Sequence, residues 1–165
     1  MSAAVEGARG ARPPVDPYAP GGPVVVGVDG GPRSVRAVRW AAEEAWRRYT
    51  EVVAVHACPP PRPVASYAPV HPPVPDVDQL VATESEHLAE LVRAALGDEP
   101  LVPVRTVCEP ASPVRALLTH AEGASLLVLA PSVDLAAGTG IGATALACVR
   151  HAPCPVVILP TESPG

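Results

Sequence analysis

The chain has 165 residues, 48% hydrophobic and 18% charged, with a net charge of −5. That is the size of one domain, in which folding hides about 70% of the unfolded chain's surface. Twelve arginines against seventeen acids leave no cationic surface of the kind that binds phosphate backbones, so nucleic acid is not an expected partner. The sequence contains no lysine, which excludes a Walker A loop, a Schiff-base lysine and a lysine general base.

Proline divides the chain. Of 23 prolines, 13 lie in residues 1–23 and 59–75, and neither segment can enter a helix interior or a central strand. Residues 1–23 read as a disordered tail, residues 58–76 as a proline-rich loop, and 161–165 as a short C-terminal tail around a domain spanning 24–160. The opening segment carries no apolar leader, and no apolar run reaches the roughly 18 residues of a membrane span, so a cytoplasmic protein without membrane contact is expected. Cys58, Cys108, Cys148 and Cys154 are too scattered for a disulfide framework.

Residues 24–28 (VVVGV) form an apolar, β-branched run suited to a strand buried on both faces. Gly30, Gly31 and Pro32 turn the chain into a helix over 33–49, with Val35, Val38, Ala42, Ala45, Trp46 and Tyr49 at helical spacing. Glu43 with Arg47, and Glu44 with Arg48, are i,i+4 pairs on its wet side. Residues 52–57 are a second strand. After the proline loop, Asp76 and Gln79 have capping-box spacing, Leu80, Leu88, Leu91, Val92 and Ala95 form a helical stripe, and Gly97 closes that helix in left-handed conformation. Residues 101–107 are strand three. Ser112 and Pro113 start a short helix that ends at Gly123. Strand four covers 126–130, a glycine-rich loop follows, a helix runs from about 142 to 151, and strand five covers 155–159. Strands alternating with helices predict an α/β fold: a five-stranded parallel open sheet, doubly wound, with four helices.

In such a sheet ligands bind beyond the carboxyl ends of the strands, where the strand order reverses. Two segments qualify. The turn VDGGP offers Asp29 and the bare backbone of Gly30, and Asp29 reads either as an acceptor for a sugar hydroxyl or amine or as a helix-entry cap. The loop VDLAAGTGIGAT places Gly138, Gly140 and Gly142 before a helix that opens with Ala143 and Thr144. It reads as a phosphate cradle or as a flexible connector. GVDGG does not match the dinucleotide fingerprint GxGxxG. Cys148, His151 and Cys154 have helical spacing, but Pro153 and Pro155 break the helix and no fourth ligand is near, so no metal site is expected. No spacing of histidines and carboxylates suggests a triad or an acid/base pair, and no serine sits in a GxSxG elbow. The chain reads as a binding module and not as an enzyme.

VVVGVDGGPRSVRAVRWAAEEA at the start and GATALACVRHAPCPVVIL at the end resemble the first and last strand–helix units of the universal stress protein (UspA) family. The resemblance extends over 24–160 and implies a five-stranded α/β sandwich in a cytoplasmic homodimer without catalysis, many members binding ATP. The ATP-binding branch carries G-x-x-G, nine residues, then G-[ST]. Registered on His151–Pro155, the last glycine is Gly142 and its hydroxyl partner is Ala143. The earlier glycines fall near Leu129 and Ser132, in LAPSVD, where there is none. Asp29 matches the family's aspartate after strand one, and Ala57 falls near its adenine-facing position. The resemblance thus implies a stress-response module whose degenerate phosphate loop binds ATP or another adenine nucleotide weakly or not at all. The alternative is a ligand-free dimerisation or adaptor protein acting through protein–protein contacts. Residues 155–159 are short, apolar and without the charges that protect an open edge, so they are expected to pair across the homodimer, with Val157 central in the shared ladder.

Overall fold

A computed structural model describes residues 21–60, 76–130 and 141–160. The expected tails over 1–20 and 161–165, most of the proline loop, and Gly138 and Gly140 of the glycine-rich loop lie outside the described residues. In chain order the elements are β1 (Val24–Val28), α1 (Pro32–Arg48), β2 (Val52–Ala57), α2 (Val77–Leu96), β3 (Val104–Glu109), α3 (Pro113–Ala121), β4 (Leu126–Leu129), α4 (Ala143–His151) and β5 (Val156–Ile158). All pairings are parallel, and the sheet runs β3-β2-β1-β4-β5. The order reverses between β1 and β4, as a doubly wound sheet requires.

Alternation explains why β1 is apolar throughout. Val24, Val26 and Val28 pack with Val52, Ala54 and Val128 under α1 and α2. Val25 packs with Val53, Val55, Leu127 and Leu129 under α3 and α4. Both faces of the strand are covered, so no polar residue belongs there. Among the described residues, no helix is long and apolar enough to cross a membrane.

Local signals place most boundaries. Pro32 opens α1, Asp76 caps α2 by accepting from the Asp78 amide at 3.0 Å, and Ser112 caps α3 by accepting from Arg115 at 3.4 Å. Gly97 ends α2 with φ +80° and ψ −175°, a region open essentially to glycine alone rather than the left-handed helical one expected. Tyr49 takes the left-handed conformation that stops α1. Both expected ion pairs on α1 form, Glu43–Arg47 at 3.7 Å and Glu44–Arg48 at 2.7 Å.

Two expectations are corrected. Strand three begins at Val104, not 101, because Pro103 has no N–H for the ladder and Leu101 is 87% exposed. The buried face of α1 is Ser34, Ala37, Val38, Ala41 and Ala45, whereas Trp46 is 41% exposed. Small side chains let the helix lie close on the sheet, so the larger residues of the expected stripe fall to its flank.

Candidate functional site

The cleft at the β1/β4 reversal holds about 240 Å3. Its floor is Gly27, Val55, Leu117 and Leu129, and its rim carries Asp29, His56, Ala57, Pro113, Ala130, Thr144 and Ala145. Strand ends supply one side, and the first turns of α3 and α4 supply the other.

Asp29 is fixed by its own turn. Its Oδ1 accepts from the Ser34 hydroxyl at 2.6 Å and from the Gly31 amide at 2.9 Å, while the Asp29 amide donates to Ser34 Oγ at 3.0 Å. Ser34 is fully buried, so the carboxylate is anchored on a rigid post. Partial burial alone would raise the Asp29 carboxyl. The hydrogen bonds from Ser34 and from the Gly31 and Asp29 amides, with the charge of Arg33, outweigh it and hold the group below its ordinary value. Both readings of Asp29 therefore hold together: it orders the entry to α1 and presents a fixed anion at the cleft.

Of the other sequence-derived candidates, Ala57 and Thr144 line the cleft. Gly30 has φ +83° and borders a second depression of about 430 Å3, between the β1 and β2 ends and α2. Gly142 is the buried N-cap of α4, and Ala143 is exposed outside the cleft lining. Cys148 is fully buried in the core while His151 is exposed, and among the described residues no three His, Cys, Asp or Glu side chains gather as a metal site would need.

Sequence spacing gave no sign of His56. Its Nδ1 lies 2.7 Å from the Val28 carbonyl oxygen, and its Nε2 lies 3.2 Å from Glu84 Oε2 on α2. Both partners are acceptors, so both contacts are hydrogen bonds only when both ring nitrogens carry protons. A second pair, His120 with Glu109 at 3.3 Å, joins α3 to β3. Each pair comes from different elements, which is why spacing along the chain does not show it. The signal available was positional: His56 stands at the carboxyl end of a strand, where ligands bind in this architecture.

A parallel sheet with a cleft at its strand-order reversal defines an open, doubly wound α/β domain. Residues 22–160 match the Universal stress protein family, and the chain belongs to it. The chain is 31% identical over 150 residues to Universal stress protein Rv2623 of Mycobacterium tuberculosis, covering 84% of this chain and 48% of that protein. It thus spans about half the length of the curated relatives it matches. Among solved structures, a universal stress protein in complex with cAMP aligns with TM-score 0.61 at 22% identity, over 86% of this chain and 98% of that one. The universal stress protein from Archaeoglobus fulgidus in complex with dAMP aligns with TM-score 0.57 at 22% identity, over 84% and 98% of the two chains. These structures share the five-stranded α/β fold described above.

Proposed function

We propose that this universal stress protein is a cytoplasmic stress-response binding module, without catalysis, that holds the adenosine part of an adenine nucleotide in the β1/β4 cleft. The cleft itself carries the reading: an apolar floor, a fixed carboxylate at Asp29 and the small Ala57 in its lining, beside the strand-order reversal. A flat base suits the apolar walls, and ribose hydroxyls or an exocyclic amine suit Asp29. The adenine nucleotides in the similar structures support the same ligand class. At about 240 Å3 the cleft is smaller than the roughly 300–1,000 Å3 of drug-sized sites, so it suits base and ribose and leaves phosphates outside.

The phosphates would then meet the start of α4, where Thr144 and Ala145 line the cleft. Pro131 has no N–H, Ser132 stands where the ATP-binding branch has glycine, and Ala143 has no hydroxyl. Two missing charge-assisted bonds at about 1.5–3 kcal/mol each amount to roughly 3–6 kcal/mol, or about 10²–10⁴ in affinity. ATP is therefore expected to bind no more than about tenfold tighter than AMP or adenosine. Calorimetric titration with the three ligands checks this. Strong dependence on the triphosphate would show that Gly138, Gly140 and Gly142 build a phosphate cradle. No binding by any of the three would favour the adaptor reading.

The proposal includes a homodimer formed through β5. This strand ends the sheet, and Val156, Val157 and Ile158 are only half-buried. Leu127 donates to the Pro155 carbonyl at 2.9 Å, and Leu159 donates to the Leu129 carbonyl at 3.0 Å. Strand alternation then points the backbone groups of Val157 toward β4 and those of Val156 and Ile158 outward. The residue to replace is thus Ile158 and not Val157. Ile158→Pro removes an outward donor and is expected to convert a dimer to a monomer in light scattering at micromolar concentration. A dimer unaffected by this change would place the interface elsewhere.

A further inference from the structure

Outside the cleft, the described residues bring two thiols into contact. Cys58 directly follows β2, and Cys108 lies in β3, the neighbouring strand. Their sulfurs are 2.8 Å apart, although the residues are 50 positions apart in sequence. The Cys58 amide donates to the Glu109 carbonyl at 2.9 Å, so the backbone at Cys58 is held against β3 by the sheet's own bonding. Both cysteines are free thiols.

We propose that Cys58 and Cys108 are an oxidation site, closed to an intramolecular disulfide by a hydroperoxide. One sulfur attacks the O–O bond of the hydroperoxide, giving a sulfenic acid and releasing an alcohol, or water from hydrogen peroxide. The second sulfur attacks the sulfenic sulfur. The S–O bond breaks, hydroxide leaves as water with the second thiol's proton, and the S–S bond forms. The two thiols lose two electrons and the peroxide gains them.

Position favours the pair over the other cysteines. A disulfide needs its sulfurs to close to about 2.05 Å, and these begin within 1 Å of that distance, on strands already joined by the ladder. Cys148 belongs to α4 and is fully buried, Cys154 packs half-buried against the same cluster, and burial alone pushes both thiols up. Cys108 is pushed up to about 12, by burial first and by the adjoining Cys58 second. That shift leaves it little thiolate at neutral pH, so contact with the neighbouring sulfur, and not acidity, makes it the partner of a sulfenic acid formed in the pair. Cys58 is almost fully buried and Cys108 is half-buried, so a small peroxide reaches the pair at the Cys108 side. Ala57, which lines the cleft, immediately precedes Cys58, so the cross-link would pin the cleft's β2 wall to β3.

The test uses the full chain treated with hydrogen peroxide, quenched in acid, denatured, alkylated with N-ethylmaleimide and digested without reduction. Mass spectrometry is expected to find a peptide joining Cys58 to Cys108, two hydrogens lighter than its parts, with Cys148 and Cys154 alkylated. Dithiothreitol should restore alkylation at both sites. In Cys108→Ser, and equally in Cys58→Ser, the linked peptide should vanish. Alkylation of Cys58 and Cys108 after peroxide, a link through Cys148 or Cys154, or conversion of the pair to sulfinic acids without a link would each overturn the proposal. The wild-type mapping decides it even if a variant does not fold.

Discussion

Truncating Leu127 to alanine is expected to cost about 3 kcal/mol of folding free energy. Leu127 is fully buried in β4, beside Val25 of β1 and Val156 of β5, in the cluster that includes Leu117 and Ala145. Strands on both sides hold its backbone, so the surroundings cannot collapse into the space left by the lost carbons. That rigidity places the variant in the middle of the 2–5 kcal/mol range for leucine truncations. At about 2–4 °C per kcal/mol for a chain of this size, the melting temperature should fall by roughly 6–12 °C. Protein concentration must be held fixed, because the proposed homodimer would make melting concentration-dependent. Val149→Ala on α4, at a residue 53% exposed, should change stability by no more than about 0.5 kcal/mol. A loss under about 1 kcal/mol for Leu127→Ala would mean that the sheet yields at its centre.

The fold was legible wherever a local rule acts alone. Continuous apolar runs marked β1 and β4 because both faces of those strands are covered. Pro32, Asp76 and Ser112 marked helix starts because their chemistry concerns their own turn. The later start of β3 and the rotated stripe on α1 have different causes: Pro103 has no N–H for the ladder, and on α1 tertiary packing chose among residues that local pattern treats alike. Val102 is buried without belonging to the strand, and alanines face the sheet in preference to Trp46.

The candidate site divides the same way. Asp29 stands at a strand end and Thr144 at a helix start, places that the alternation of strands and helices marks, whereas the family resemblance alone marks Ala57. His56 with Glu84, and Cys58 with Cys108, meet only because β2 lies beside β3 and under α2. No spacing along the chain encodes that adjacency. It comes from the sheet order, which parallel crossovers restrict but do not decide.

Gly27 offers the sharpest test of where a ligand sits. It is the one residue of β1 without a side chain, and a Cβ placed there would lie 3.0 Å from Leu117 Cδ2 and 3.0 Å from Leu129 Cδ2. Both atoms are ends of flexible side chains, so a single methyl fits after they shift by a few tenths of an ångström. Valine adds two further methyls, which must displace the leucines or project into a cleft of about 240 Å3. Overpacking costs about 1–3 kcal/mol, partly offset because glycine weakens a strand interior by about 0.5–1 kcal/mol relative to alanine. Gly27→Val should therefore remain folded. Its affinity for adenosine should fall by about 100-fold, equivalent to roughly 2.7 kcal/mol, because the base can no longer reach the apolar floor. Circular dichroism and melting establish that the variant is folded, and calorimetry reads the affinity. Unchanged adenosine binding in a folded Gly27→Val would move the ligand out of this cleft, with the second depression beside Gly30, His56 and Glu84 the next place to look.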